Sequence, residues 1–234
     1  MKQLRKSFLY FVLAMGLLTI DACRKKYNST AKDMSDYGWI LYEEAKTSDD
    51  YIESNTWFKD GIKKDSGWKD AYNGLGWSFG QLMVLDSSIS HFIDGLDKPK
   101  EAWITKNIQA EILAGLTFAY KAQGNNKKAL LYGSAFLDTT FDALGPGWEF
   151  SHDPDSLLNH LDVRIAMASS YFAVGKFDSS IVQISFILQE LAKSGKGIAM
   201  AAVTDTSLQG RKRIAAQIDS LYFHLTGVGD VWPK

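Results

Sequence analysis

YNGLGWSFGQLMVLDSSISHFIDGLDKP, residues 72–99, holds a spacing that recurs upstream: Leu75, Ser88, Phe92 and Gly95 answer Leu41, Ser54, Phe58 and Gly61, each 34 residues earlier. A fixed period of that length points to stacked repeats, each one a supersecondary unit. Only four prolines interrupt the 234 residues, and no segment alternates apolar and polar side chains for long. The chain is therefore expected to be all-α.

Working outward, the order Tyr72-x2-Leu75-Gly76-x2-Phe79, then Ser88-x3-Phe92 and Pro99, resembles the tetratricopeptide repeat. A third copy runs through Leu113, Leu116, Thr117, Tyr120, Gly124, Ala129, Leu130 and Phe136. A fourth runs through Met167, Ala168, Tyr171, Gly175, Phe177, Ser180, Ile184 and Ile187. Both AYKAQGNNKKAL and SYFAVGKFDSSI place Gly four residues after Tyr, where a helix ends in a left-handed residue. Copy one has Tyr42 where the pattern asks for Gly, and copy three has Gly133 where it asks for Phe. The resemblance implies a right-handed α-solenoid of helical hairpins at about 37–68, 69–102, 110–142 and 161–192. Gly76 and Ser88 would sit where two helices cross, with Tyr72, Leu75, Phe79 and Phe92 filling the space between hairpins. Ile214, Ile218, Leu221, Tyr222 and Leu225 give the segment 205–225 the spacing of a capping helix. Before it, SGKGIAMAAVTDTS suits a short helix or an ordered loop.

At the other end, Lys2, Arg5 and Lys6 precede an apolar run from Phe8 to Ile20. That run covers roughly 20 Å as a helix, short of the roughly 30 Å hydrocarbon core, so residues 1–22 read as an export signal. Ile20-Asp21-Ala22-Cys23 resembles a bacterial lipobox, which implies lipidation of Cys23 and a new N-terminus there. Two or three acyl chains make a durable anchor at about 0.8 kcal/mol per buried CH2. Residues 23–36 are expected to be a tether, in which Arg24, Lys25 and Lys26 lie close to lipid headgroups or serve as a solvated spacer. With Cys23 the lone cysteine, the domain can form no internal disulfide. The implied location is the bacterial cell envelope, lipid-anchored, with Arg24 after the cysteine favouring the outer membrane.

Removing the signal leaves a formal charge near −3, and no basic stripe is interleaved with aromatics, so nucleic acid is not an expected partner. There is no phosphate loop of the Gly-x-x-x-x-Gly-Lys-Ser/Thr type, no Gly-x-Ser-x-Gly elbow and no paired cysteines. GLGWSFG lies inside a helix and not between a strand and a helix, which removes it as a nucleotide site. No enzyme, cofactor or metal is expected. His152, Asp153, Asp155 and His160 form the nearest thing to a metal set, but Asp-Pro-Asp-Ser equally suits a helix start. His91 and His224 read as structural histidines.

The remaining reading is a non-catalytic binding scaffold. The resemblance implies a groove lined by the first helices of the hairpins, where Asn73, Trp77, Gln81, Phe118 and Lys121 would meet a protein or peptide partner or pack against the next hairpin. An alternative is a glycan or small-ligand binder stacking on Trp39, Trp57, Trp68 and Trp148. The long interruption FDALGPGWEFSHDPDSLLNHLD breaks the array between copies three and four, and its Trp148 and Phe150 are expected to fold back onto it. FSHDP followed by LDVRIAMASSYFAVGKFD is also similar to bacterial lipoproteins carrying this repeat, a likeness that bears on fold and not on function.

Overall fold

The computed structural model describes residues 28–99, 105–143, 147–152, 158–195 and 200–226. The segment 1–22 read as an export signal, together with Cys23, Arg24, Lys25, Lys26, Asp153 and Asp155, lies outside them. The described residues are helical with short connections, and we label the helices α1 (Ala31–Glu44), α2 (Ser48–Lys64), α3 (Lys69–Gln81), α4 (Leu85–Leu96), α5 (Thr105–Ala122), α6 (Asn126–Ala143), α7 (His160–Ala173), α8 (Phe177–Lys193) and α9 (Leu208–Thr226). None of them is long and apolar enough to cross a membrane. The all-α expectation holds.

Consecutive helices pack as pairs: α1 with α2, α3 with α4, α5 with α6 and α7 with α8. The first members of the pairs also touch one another in sequence, α1 to α3 to α5 to α7, forming one layer. Helix α9 lies on α7 and α8, where Ile214, Ile218, Leu221 and Tyr222 close a core with Ile165, Ile184 and Ile187. Ahead of it, residues 200–207 form a loop and not a helix; Val203 N–H donates to Gln217 Oε1, and Gln217 Nε2 donates to the Ala201 carbonyl.

The layer is joined by aromatic rings set between glycines. Phe58 of α2 is fully buried against Gly38 of α1 and Gly74 of α3; a Cβ at either glycine would meet the ring at 2.8 or 2.2 Å. Phe92 of α4 repeats this between Gly76 of α3 and Gly115 of α5, at 2.3 and 2.2 Å. All four separations are below any contact a real Cβ tolerates, so the missing side chains are what let the rings in. In the third pair the geometry is inverted: Gly133 of α6 occupies the aromatic position, and Met167 of α7 fills the space from the other side. A flexible thioether suits such an irregular gap.

In three of the pairs a small hydroxyl ties the two helices together. Ser54 Oγ donates to the Gly38 carbonyl (2.9 Å), Ser88 Oγ to Gly76 (2.7 Å) and Ser180 Oγ to Ala168 (2.8 Å). The glycine serving copy one is therefore Gly38, and Tyr42 instead points to the face described below. The serine follows its partner by 16 residues in the first pair and by 12 in the second, which is why a constant spacing selects the wrong residue. Helix α1 also begins at Ala31, inside the stretch expected to be tether, because Ala31 and Ser35 are small enough to pack on Gly61.

Three of the turns share one closure. After α5, Asn125 N–H donates to the Tyr120 carbonyl and Gly124 N–H to Lys121, with Gly124 at φ 80°. After α7, Lys176 donates to Tyr171 and Gly175 to Phe172, with Gly175 at φ 77°. After α3, Val84 donates to Phe79 and Met83 to Gly80 in the same pattern, but the left-handed residue is Met83 at φ 57°. A side chain there costs roughly 1–2 kcal/mol, partly offset by the greater chain entropy that a glycine loses on folding. Met83 is 57% exposed and contributes little packing. Met83→Gly should therefore raise the melting temperature by roughly 2–4 °C, and Gly175→Ala should lower it by a similar amount. Scanning calorimetry of the two variants checks the pair; a lowered melting point for Met83→Gly would show that the Met83 side chain stabilises the turn.

Candidate functional site

The layer of first helices does not stand open. Residues 147–152 lie across it, paired with the chain just before α7 through an isolated antiparallel bridge between Glu149 and Asn159. Phe150 N–H donates to the Leu158 carbonyl (2.9 Å), and His160 N–H donates to Trp148 (3.1 Å). At the end of this pairing Asn159 caps α7, accepting from Leu161 N–H while Asp162 accepts from Asn159 N–H. Trp148 and Phe150 fold back as expected: Trp148 is buried edge-on to Phe136, ring centres 5.0 Å apart, and Phe150 is 4% exposed.

Phe150, Ser151 and His152 each meet a different chemistry. The Phe150 ring lies 4.3 Å from Trp77 of α3 and is flanked edge-on by Trp39 (6.1 Å) and Tyr42 (6.3 Å) of α1. Ser151 Oγ donates to Glu111 Oε1 of α5 at 2.5 Å, and the other oxygen of that carboxylate accepts from Asn73 Nδ2 at 2.6 Å. His152 is stacked flat on Trp39, 3.6 Å between ring centres, and its Nδ1 is 2.9 Å from Glu43 Oε1. Gln81 Nε2 donates to the Tyr42 hydroxyl at 3.0 Å, fixing the far wall.

Asp70 accepts from Trp39 Nε1 at 3.0 Å and feels the charge of His152. Part of the residue reaches solvent, but its carboxylate is enclosed, and burial is the main reason that its pKa is pushed up to about 6. Glu111 adds to the rise; the positive charge of His152 and hydrogen bonds from Trp39 and Asn73 oppose it. The floor of the face is thus aromatic and acidic, and the segment over it supplies a ring, a hydroxyl and an imidazole.

Of the residues expected on the groove, Asn73 and Trp77 are fully buried here and Phe118 is 6% exposed, with its ring 6.2 Å from Trp77. They share this face with Gln81. Lys121 does not join them, since its Nζ lies 5.1 Å over the Tyr222 ring of α9. Among the aromatics weighed for stacking, Trp39 and Trp148 are buried, and Trp57 packs edge-on to Tyr37. Asp70, Glu111, Glu43 and Ser151 escaped the sequence reading; the one available signal was a carboxylate, Glu111, inside the apolar run that follows it in α5.

His152 and His160 serve separate places. His160 lines a pocket of about 360 Å³ with Glu149, Glu190 and His224, where burial, then the charge of Arg164, lowers its pKa. Arg164 itself lies 3.5 Å over the Phe186 ring and donates to Gln183 Oε1. Among the described residues no group of three or more His, Cys, Asp and Glu side chains is placed to hold a metal ion. No protein-family model matches the chain, and no curated protein aligns with it significantly.

Because Asp70 keeps its proton to a higher pH in the folded protein than in the unfolded chain, its contribution is fully present below pH ~4 and is lost as the pH rises through about 6. His152, Glu111 and Lys32 are the charged groups that bear on it. Asp70→Asn removes this loss. The melting temperature of the variant relative to the parent should therefore climb between pH 4 and pH 6.5; parallel curves would show that Asp70 titrates normally.

Proposed function

We propose that the chain is a lipid-anchored, non-catalytic scaffold of the bacterial cell envelope, in which the layer of first helices receives an extended segment of a protein partner. The reading takes the hairpins as tetratricopeptide-like and the array as a right-handed α-solenoid with α9 as its cap. Support comes from the helix pairs, from the contacts that join α1, α3 and α5 side by side, and above all from the way residues 147–152 bind across that layer. Aromatic slots, a carboxylate that accepts from a hydroxyl and a stacking surface for a ring are the means by which a face holds a peptide. Burial of Trp39 and Trp148 weighs against a glycan stacking on these rings.

Two measurements test the two halves of the proposal. With Cys23→Ser, the protein should cease to take up labelled palmitate; labelling that persists in the variant would refute the lipid anchor at Cys23. That full-length chain in mild detergent, panned against a displayed library of random peptides and in parallel against a glycan array, should enrich peptides and ignore the glycans. Glycan binding without peptide enrichment would reverse the assignment.

A further inference from the structure

We propose that Phe150-Ser151-His152 is an internal copy of the ligand: the face of α1, α3 and α5 takes a peptide with an aromatic, a small hydroxyl and a cationic residue in succession, and the segment must leave for that peptide to bind. The inference rests on the peptide-receiving reading above and narrows it to one class of partner.

Three observations carry it. The first is the chemistry of the floor. A cover that served folding alone would be matched by an apolar surface, because burying carboxylates is costly unless each finds a partner. Here Glu111, 1% exposed, is satisfied by Ser151 of the segment and by Asn73, and Asp70 accepts from Trp39 within range of the His152 charge. The second is the cation site. Trp39 supplies a flat ring at 3.6 Å, Glu43 an oxygen at 2.9 Å and Asp70 a further acidic group within electrostatic range. A stacked ring bordered by carboxylates suits a guanidinium or ammonium, whose charge is permanent. The third is the access at one end. The backbone pairing of the described part of the segment is an isolated bridge, and although Trp148 and Phe150 are buried, at its cationic end His152 and Glu43 keep side-chain exposures of 23% and 38%. An incoming arginine can therefore engage Glu43 before the aromatic slot is vacated.

The test uses a fluorescein-labelled peptide, Trp-Glu-Phe-Ser-Arg flanked by glycines, at pH 7.5 with the full-length Cys23→Ser chain. Fluorescence anisotropy should show binding, and binding at least ten-fold tighter to the same chain carrying Phe150→Ala and His152→Ala. Replacing the peptide's Phe by Ala or its Arg by Glu should weaken binding at least ten-fold. In the chain with its segment intact, saturating peptide should speed hydrogen exchange at the Phe150 and His160 amides, while α3 and α5 stay protected. This second readout decides the matter even if circular dichroism finds the double variant unfolded.

Peptide bound with no loss of protection at Phe150, or bound equally well without its Phe and Arg, overturns the inference while leaving a peptide scaffold in place. Failure to bind this peptide, while library peptides of other composition bind, does the same. A chain that binds no peptide at all overturns the underlying reading with it. Concentration-dependent dimers that disappear on Phe150→Ala would make a second copy of the chain the occupant and would also overturn it.

Discussion

The architecture depends on a steric condition: a phenylalanine ring from each of the second helices α2 and α4 must fit between two glycines on neighbouring first helices. Phe58 does so between Gly38 and Gly74, and Phe92 between Gly76 and Gly115. Each ring removes apolar surface from water worth roughly 1.5–3 kcal/mol, but its more specific effect is geometric. It sets how closely α1, α3 and α5 approach, and hence whether Trp39, Asp70, Asn73, Trp77 and Glu111 fall on one surface. The serines at 54 and 88 hold the register by bonding to the carbonyls of two of those glycines. Packing and site are therefore one problem, since a side chain added at any of the four glycines would spread the floor on which Phe150 and His152 sit.

How much of this could be read beforehand depended on distance along the chain. The joint of Gly76, Ser88 and Phe92 was legible because it involves residues within one hairpin at offsets the repeat pattern records. Gly38 was hidden by four extra residues between it and Ser54, and the left-handed turn after α3 by a methionine where the turns after α5 and α7 carry glycine. The burial of Trp148 and Phe150 followed from their size alone. Their partners did not, because Ser151 and Glu111 are 40 residues apart and His152 and Glu43 are 109 apart, and no local pattern links them. Of the five residues placed on the groove, four do lie together, whereas Lys121 turns toward α9, whose position no repeat spacing encodes.

The covered face changes what the aromatic residues mean. Trp77 looked like contact area for a partner, and it is enclosed by Phe92, Phe118 and Phe150. Its removal would cost the fold about 3–5 kcal/mol, so loss of binding in such a variant would say little about recognition. The acidic residues of the face are more informative. Glu43, Asp70 and Glu111 contribute charge where packing alone would call for none, and His152 answers them from the segment above.

A double-mutant cycle on the second joint tests the central claim most directly. Unfolding free energies would be measured by denaturant titration for the parent, Gly76→Ala, Phe92→Leu and the double variant. If the ring fits only because the glycine lacks a side chain, the smaller leucine makes room for the new methyl group, and the double variant should be more stable than the summed losses imply by about 1 kcal/mol or more. Losses that add to within roughly 0.3–0.5 kcal/mol would mean that Gly76 and Phe92 do not constrain one another, and the account of the helix layer would fail with them.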